Sequence, residues 1–216
     1  MSTDKSNPYF VRVLSRIVAC CVLILAVCLY PYVAENYLYK PTTHDVFDAA
    51  RRGTVKDVRY FIRHGATVND KDSADGTPQI HYAARYNLNI EVLKYLVENG
   101  ADVYAKDKFD QTPLHYMLLP PNSNNADVLK YLIEQGANVN AKDKFGLTPL
   151  HIAAKFSLFN DIEIAKILID NGADVNAKDD DDKTPLDYAY LDYAYNKEEE
   201  AILREAGGKR GEELPE

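Results

Sequence analysis

Four Thr-Pro pairs cut this chain into near-equal lengths. They stand at Thr77-Pro78, Thr112-Pro113, Thr148-Pro149 and Thr184-Pro185, at spacings of 35, 36 and 36 residues. A Gly-Ala pair keeps the same intervals at Gly65-Ala66, Gly100-Ala101, Gly136-Ala137 and Gly172-Ala173. Two ladders in register constrain the fold more than composition does. A unit of this length cannot bury a core alone and must stack on neighbouring copies.

The residues between the rungs show how each unit is built. Thr112 suits a helix N-cap, and Pro113 suits the first helical position, where a missing N–H costs nothing. A short helix follows, LHYMLL in one unit and LHIAAK in the next. After a turn comes a second helix, VLKYLVENG, VLKYLIEQG or IAKILIDNG, with one apolar stripe such as Val92, Leu93, Leu96 and Val97. Gly100, Gly136 and Gly172 are placed to end these helices as left-handed caps. A polar stretch, VNAKDKFGL from Val139 to Leu147, then turns back to the next Thr-Pro.

The run Thr148-Pro149-Leu150-His151-Ile152-Ala153-Ala154, with Gly172-Ala173-Asp174-Val175-Asn176-Ala177, resembles the ankyrin repeat, whose pattern is Thr-Pro-Leu-His-x-Ala over about 33 residues. The resemblance implies an all-α ankyrin-repeat solenoid of helix-turn-helix units with β-hairpin turns. It covers 45–207 as five units: 45–76, 77–111, 112–147, 148–183 and 184–207. The end units are atypical: the first lacks Thr-Pro, and the last carries Asp187 in place of His. Residues 208–216 are left as a charged tail.

Departures from the family pattern carry their own expectations. The excess length falls between the two helices, at Tyr86–Asn89, Pro120–Asn125 and Phe156–Asn160, and one further residue enters near Gln79-Ile80. Repeat three has Met117-Leu118 where the family has two alanines, so it is expected to be wider or locally distorted, and Pro120-Pro121 ends its first helix early. The turn glycine occurs once, as Gly146. Asp75, Asp110 and Asp182 stand in that slot elsewhere, and Asp tolerates positive φ.

Ahead of the repeats, Ile17 to Ala34 is an 18-residue run without a charge. As a helix it spans about 27 Å, close to the hydrocarbon core of a bilayer. Lys5, Arg12 and Arg16 precede it, and tyrosines flank it. The expected organisation is a cytoplasmic segment 1–16, a transmembrane signal-anchor 17–34, a linker 35–44 and an exported repeat domain. A cleaved signal peptide is the alternative and would give a secreted protein. Cutting after Ala34 puts the bulky Tyr32 three residues from the cut, whereas cutting after Cys28 puts Ala26 there but leaves a short apolar region. A lipidated cysteine and a buried core helix are further alternatives for this run.

The chain carries 25 Lys/Arg against 33 Asp/Glu. An acidic domain without a basic stripe argues against nucleic acid as partner. The three cysteines, Cys20, Cys21 and Cys28, all lie in the apolar run, so the repeats offer no thiol nucleophile, disulfide or Cys-based metal site. His81, His115 and His151 repeat with the fold and are read as structural, not as metal ligands. Asp179–Asp182 lacks a calcium-loop pattern and is read as a solvated turn. No nucleophile elbow or phosphate loop occurs. We therefore expect a non-catalytic module with no cofactor, metal or small-molecule substrate.

The candidate binding residues lie at the hairpin tips. Lys108-Phe109 and Lys144-Phe145 occupy one slot in successive repeats. Ankyrin-type proteins bind through these fingers and the inner helix face, so the resemblance implies that Lys108, Phe109, Lys144 and Phe145 contact a protein partner. Packing between the fingers is the alternative use for the two rings.

Overall fold

A computed structural model describes residues 39–87, 89–120, 125–156, 162–190 and 197–215. The segment 17–34 lies outside them; among the described residues no helix is long and apolar enough to cross a membrane. Thr42–Glu216 forms one compact unit.

The described residues of this unit are all-helical, without strands. Ten α-helices follow in pairs: α1 Val46–Arg52 with α2 Val55–Arg63, α3 Gln79–Tyr86 with α4 Ile90–Glu98, α5 Pro113–Met117 with α6 Ala126–Glu134, α7 Pro149–Lys155 with α8 Ile162–Asp170, and α9 Pro185–Ala189 with α10 Lys197–Glu205. The odd-numbered helices form an inner row and the even-numbered ones an outer row. Each inner helix from α3 onward brings one large apolar residue to the same depth: Ile80, Leu114, Leu150 and Leu186 are all buried. Leu93 and Leu96, Leu129 and Leu132, and Ile164 and Leu168 meet them from the outer row. The result is one continuous core rather than five separate ones.

The cap chemistry follows the sequence at Thr112, Thr148 and Thr184, each an N-cap with proline at the next position. At Thr77-Pro78 it does not. The finger before α3 spans Asp72 to Thr77, closed by Asp72 N–H to Thr77 C=O, whereas the next spans Asp107 to Gln111. The extra residue therefore enters the finger, upstream of Gln79-Ile80. It moves Thr-Pro forward by one place, so that Pro78 becomes the N-cap of α3 and Gln79 its first residue. The positive φ moves with it: Gly76, not Asp75, adopts φ 75°, while Asp110 and Asp182 adopt 59° as their slot predicts.

Repeat three absorbs its large residues by burying them: Met117 and Leu118 are both fully buried. Its inner helix α5 stops after five residues and packs on α3 far more than on α7. The widening is thus one-sided. Between repeats one and two, part of the excess segment is a connector. Asn87 is buried, and its Nδ2 donates to the carbonyls of Ala50 (2.9 Å) and Gly53 (3.1 Å).

Both ends of the unit extend beyond the boundaries expected from sequence. It begins at Thr42 rather than Asp45. Buried Asp57 on α2 accepts from Thr42 N–H (2.7 Å), Thr54 N–H (2.9 Å) and the Thr54 hydroxyl (2.8 Å), which pins the incoming chain. Residues 208–215 are not a free tail. Lys209 N–H donates to Asn176 Oδ1 (2.8 Å), Thr184 Oγ1 donates to Lys209 C=O (2.6 Å), and Gly211 N–H donates to Asp187 Oδ2 (2.7 Å). The tail supplies the backbone groups that a following finger would supply.

Candidate interaction surface

Each finger is folded by an aspartate at its base. Asp107 Oδ1 accepts from its own finger's Phe109 N–H (2.8 Å) and Gln111 N–H (2.9 Å). Asp143 does the same for Phe145 and Leu147, and Asp179 for Asp181 and Lys183. Asp179 is consequently buried and structural rather than part of a solvated turn. A tyrosine from the inner helix then clamps the same carboxylate: Tyr82 on Asp72 (3.0 Å), Tyr116 on Asp107 (2.9 Å) and Tyr188 on Asp179 (2.7 Å). Burial and its bond to Asp107 push the Tyr116 phenol up to about 12 despite an opposing bond with Thr77, so it stays a donor at all ordinary pH. In repeat four the position is Ile152, and Asp143 takes Gln111 Nε2 of the neighbouring finger instead (3.2 Å).

The histidines tie one repeat to the next. Thr112 N–H donates to His115 Nδ1 (3.1 Å), so Nε2 carries the proton and donates to Leu147 C=O of the following finger (3.1 Å). His151 repeats this with Thr148 and Lys183 C=O. Burial lowers the pKa of all three repeat histidines, to about 4 for His81, so they work as neutral struts. Among the described residues no group of three potential ligands is placed to hold a metal ion.

The fingers are zipped edge to edge at the predicted residues. Lys144 N–H donates to Phe109 C=O (2.8 Å), and Asp180 N–H donates to Phe145 C=O (3.1 Å). Gly146 makes the second junction possible. It sits at φ 77°, and a Cβ there would lie 2.7–2.8 Å from Asp180 atoms. The backbone bond holds Phe109 and Phe145 on adjacent tips with both rings exposed, at 41% and 56%. Lys108 Nζ lies 5.2 Å from the centre of its own Phe109 ring, and Lys144 is exposed. The four residues thus form one small patch, bounded by Ala74 in the slot before and Asp181 in the slot after.

The family profile described as Ankyrin repeats (3 copies) matches residues 46–143, 80–179 and 114–197, together most of the chain. The chain belongs to the ankyrin-repeat family. No curated protein matches it. Ankyrin repeats are protein–protein interaction units, which fits a surface offering exposed aromatics.

Ankyrin stacking also explains one residue missed from sequence. Asn69, Asn140 and Asn176 occupy one slot. Asn69 and Asn140 bridge to the next repeat through Gly100 C=O and Asp102 N–H, and through Gly172 C=O and Asp174 N–H. In repeat two the slot holds Tyr104, which is 57% exposed, with its hydroxyl over Gly136. The signal was visible as the odd residue in an asparagine ladder at 69, 104, 140 and 176. With Asn69, Lys71, Pro78, Asp102 and Lys106 it lines an open groove of about 540 Å³.

Proposed function

We propose that this chain is a membrane-anchored ankyrin-repeat scaffold, without catalytic activity of its own, that binds a partner protein through adjacent fingers. Phe109 and Phe145 carry the reading. Two aromatic rings held by backbone bonds, yet left in water, cost solvation without contributing to the core, and such residues are typical interface anchors. Lys108 and Lys144 set their local charge, so the matching partner presents an apolar side chain flanked by acids. A photoreactive phenylalanine analogue at 109 and at 145 should crosslink the same protein, and one at Lys166 on the outer row should not. Capture of different proteins at 109 and 145 would separate the two fingers and end the joint-site reading.

Anchoring rests on the uncharged run Ile17 to Ala34 with basic residues before it. The domain is then exported. Protease added from the outer side should digest from Asp45 onward, and membrane release should need detergent. A soluble product lighter by about 3 kDa, the mass of roughly 28–34 residues, would instead show a secreted form after cleavage.

A further inference from the structure

We infer that the outer helix of the first repeat, α2, is a lipid-facing surface that lies against anionic headgroups. The inference rests partly on the anchoring proposed above. Outer helices share a charge pattern at their second, fifth and ninth residues. It reads Glu91, Lys94, Glu98 in α4; Asp127, Lys130, Glu134 in α6; Glu163, Lys166, Asp170 in α8; and Glu198, Ala201, Glu205 in α10. In α2 the same positions are Lys56, Arg59 and Arg63. Both acids are inverted to bases in one repeat only.

The helix dipole favours Arg63 in the last turn of α2 but does not account for the base at Lys56. Lys56 is the second residue of its helix, where a positive charge opposes the helix dipole and an acid would favour it. Lys56 and Arg63 are exposed. Arg59 lies 5.4 Å from the Tyr95 ring of the next outer helix, which holds its guanidinium on the outer row. Spacings of three and four residues put the three groups in one line along the helix, so a single plane can meet them all. That suits a charged sheet of headgroups better than a pocketed protein. The acids of α4 at the equivalent positions, Glu91 and Glu98, would be repelled and confine contact to the first repeat.

Charge and chain order select the same occupant. Residues 42–66 carry five Lys/Arg against three Asp/Glu, whereas residues 179–216 carry five against thirteen. The first repeat, 45–76, carries six Lys/Arg and six Asp/Glu, with five of the six bases between Arg51 and Arg63, and it is the repeat that follows the apolar run.

The test uses the full chain with vesicles of phosphatidylcholine alone and with about a quarter phosphatidylglycerol, separated by flotation, with amide exchange followed in α2. The chain should float with both. Exchange in α2 should be at least about fivefold slower on the anionic vesicles, the effect of one basic group at such a surface. Lys56→Glu plus Arg63→Glu, which installs the charges the other outer helices carry, should abolish that difference with flotation unchanged and the repeat domain still folded. Equal exchange in α2 on both vesicle types overturns the inference and leaves the anchor standing. Flotation on anionic vesicles alone, lost in the double variant, removes the anchor and keeps the lipid-facing helix. Flotation on neither overturns both. Protection of α2 by polyglutamate but not by anionic vesicles overturns the inference in favour of an acidic protein.

Discussion

His81 Nδ1 is buried without a hydrogen-bond partner because Pro78 stands where the next repeat has Thr112. Proline offers neither the N–H nor the hydroxyl that meet His115 Nδ1 at 3.1 and 2.9 Å. Gln79 Oε1 is also buried without a partner. Pro78→Thr should supply both missing groups and stabilise the domain by about 1–2 kcal/mol, within the cost of a buried unmade bond. A raised melting temperature checks this. An unchanged or lower one would mean that the ring does not align with residue 78.

Acid should unfold the domain through its histidines. Burial lowers the folded pKa of His81 from 6.5 to about 4, and burial lowers those of His115 and His151 as well. The unfolded chain therefore binds more protons between these values, so stability is full above pH 6.5 and falls as pH drops toward 4. For His81 alone the loss is on the order of 3 kcal/mol. Urea midpoints should drop between about pH 7.5 and about pH 5. A flat profile would show the rings to be accessible to protons in the fold.

Repeat three should tolerate the family's small residues poorly. Met117 and Leu118 are fully buried, and the helix that Met117 ends packs mainly on α3. Met117→Ala should cost about 2–5 kcal/mol, as core truncations do, although alanine is the family residue. Calorimetry decides it: a variant as stable as the parent would mean that the neighbouring helices close the gap.

The C-terminal tail should behave as a cap. A Cβ at Gly211 would overlap the Asp182 carbonyl, so Gly211→Ala must displace the tail from Asp187. Hydrogen exchange in Lys209–Leu214 should then rise. Stability should fall by about 1.5–3 kcal/mol, the range for a bond to a charged group, with repeat five opening first. Unaltered protection would show that the tail is not held through that contact.

Much of this architecture was legible because the repeat prints it several times. Caps at Thr112, Thr148 and Thr184, and the positive φ of Asp110 and Asp182, follow from residue type and spacing. The Thr77-Pro78 rung misled, since a one-residue insertion in a finger shifts the helix start while leaving the dipeptide intact. Long-range polar contacts were invisible for a different reason. The tyrosine clamps on Asp72, Asp107 and Asp179, and the docking of Gly211 on Asp187, join residues about 9 to 24 positions apart, which no local period reports. For the candidate site, the sequence placed Phe109 and Phe145 in one slot. That they stay exposed while Lys144 N–H bonds Phe109 C=O is a property of the stacked fingers.

The most direct measurement is the dissociation constant of the crosslinked partner for the parent chain and for Phe109→Ala plus Phe145→Ala. Loss of two exposed anchors should weaken binding at least about tenfold, roughly 1.4 kcal/mol or more, with the melting temperature held within a few degrees. Unchanged affinity, or a large fall in melting temperature with binding intact at saturation, would contradict the account and assign the rings to stiffening the fingers.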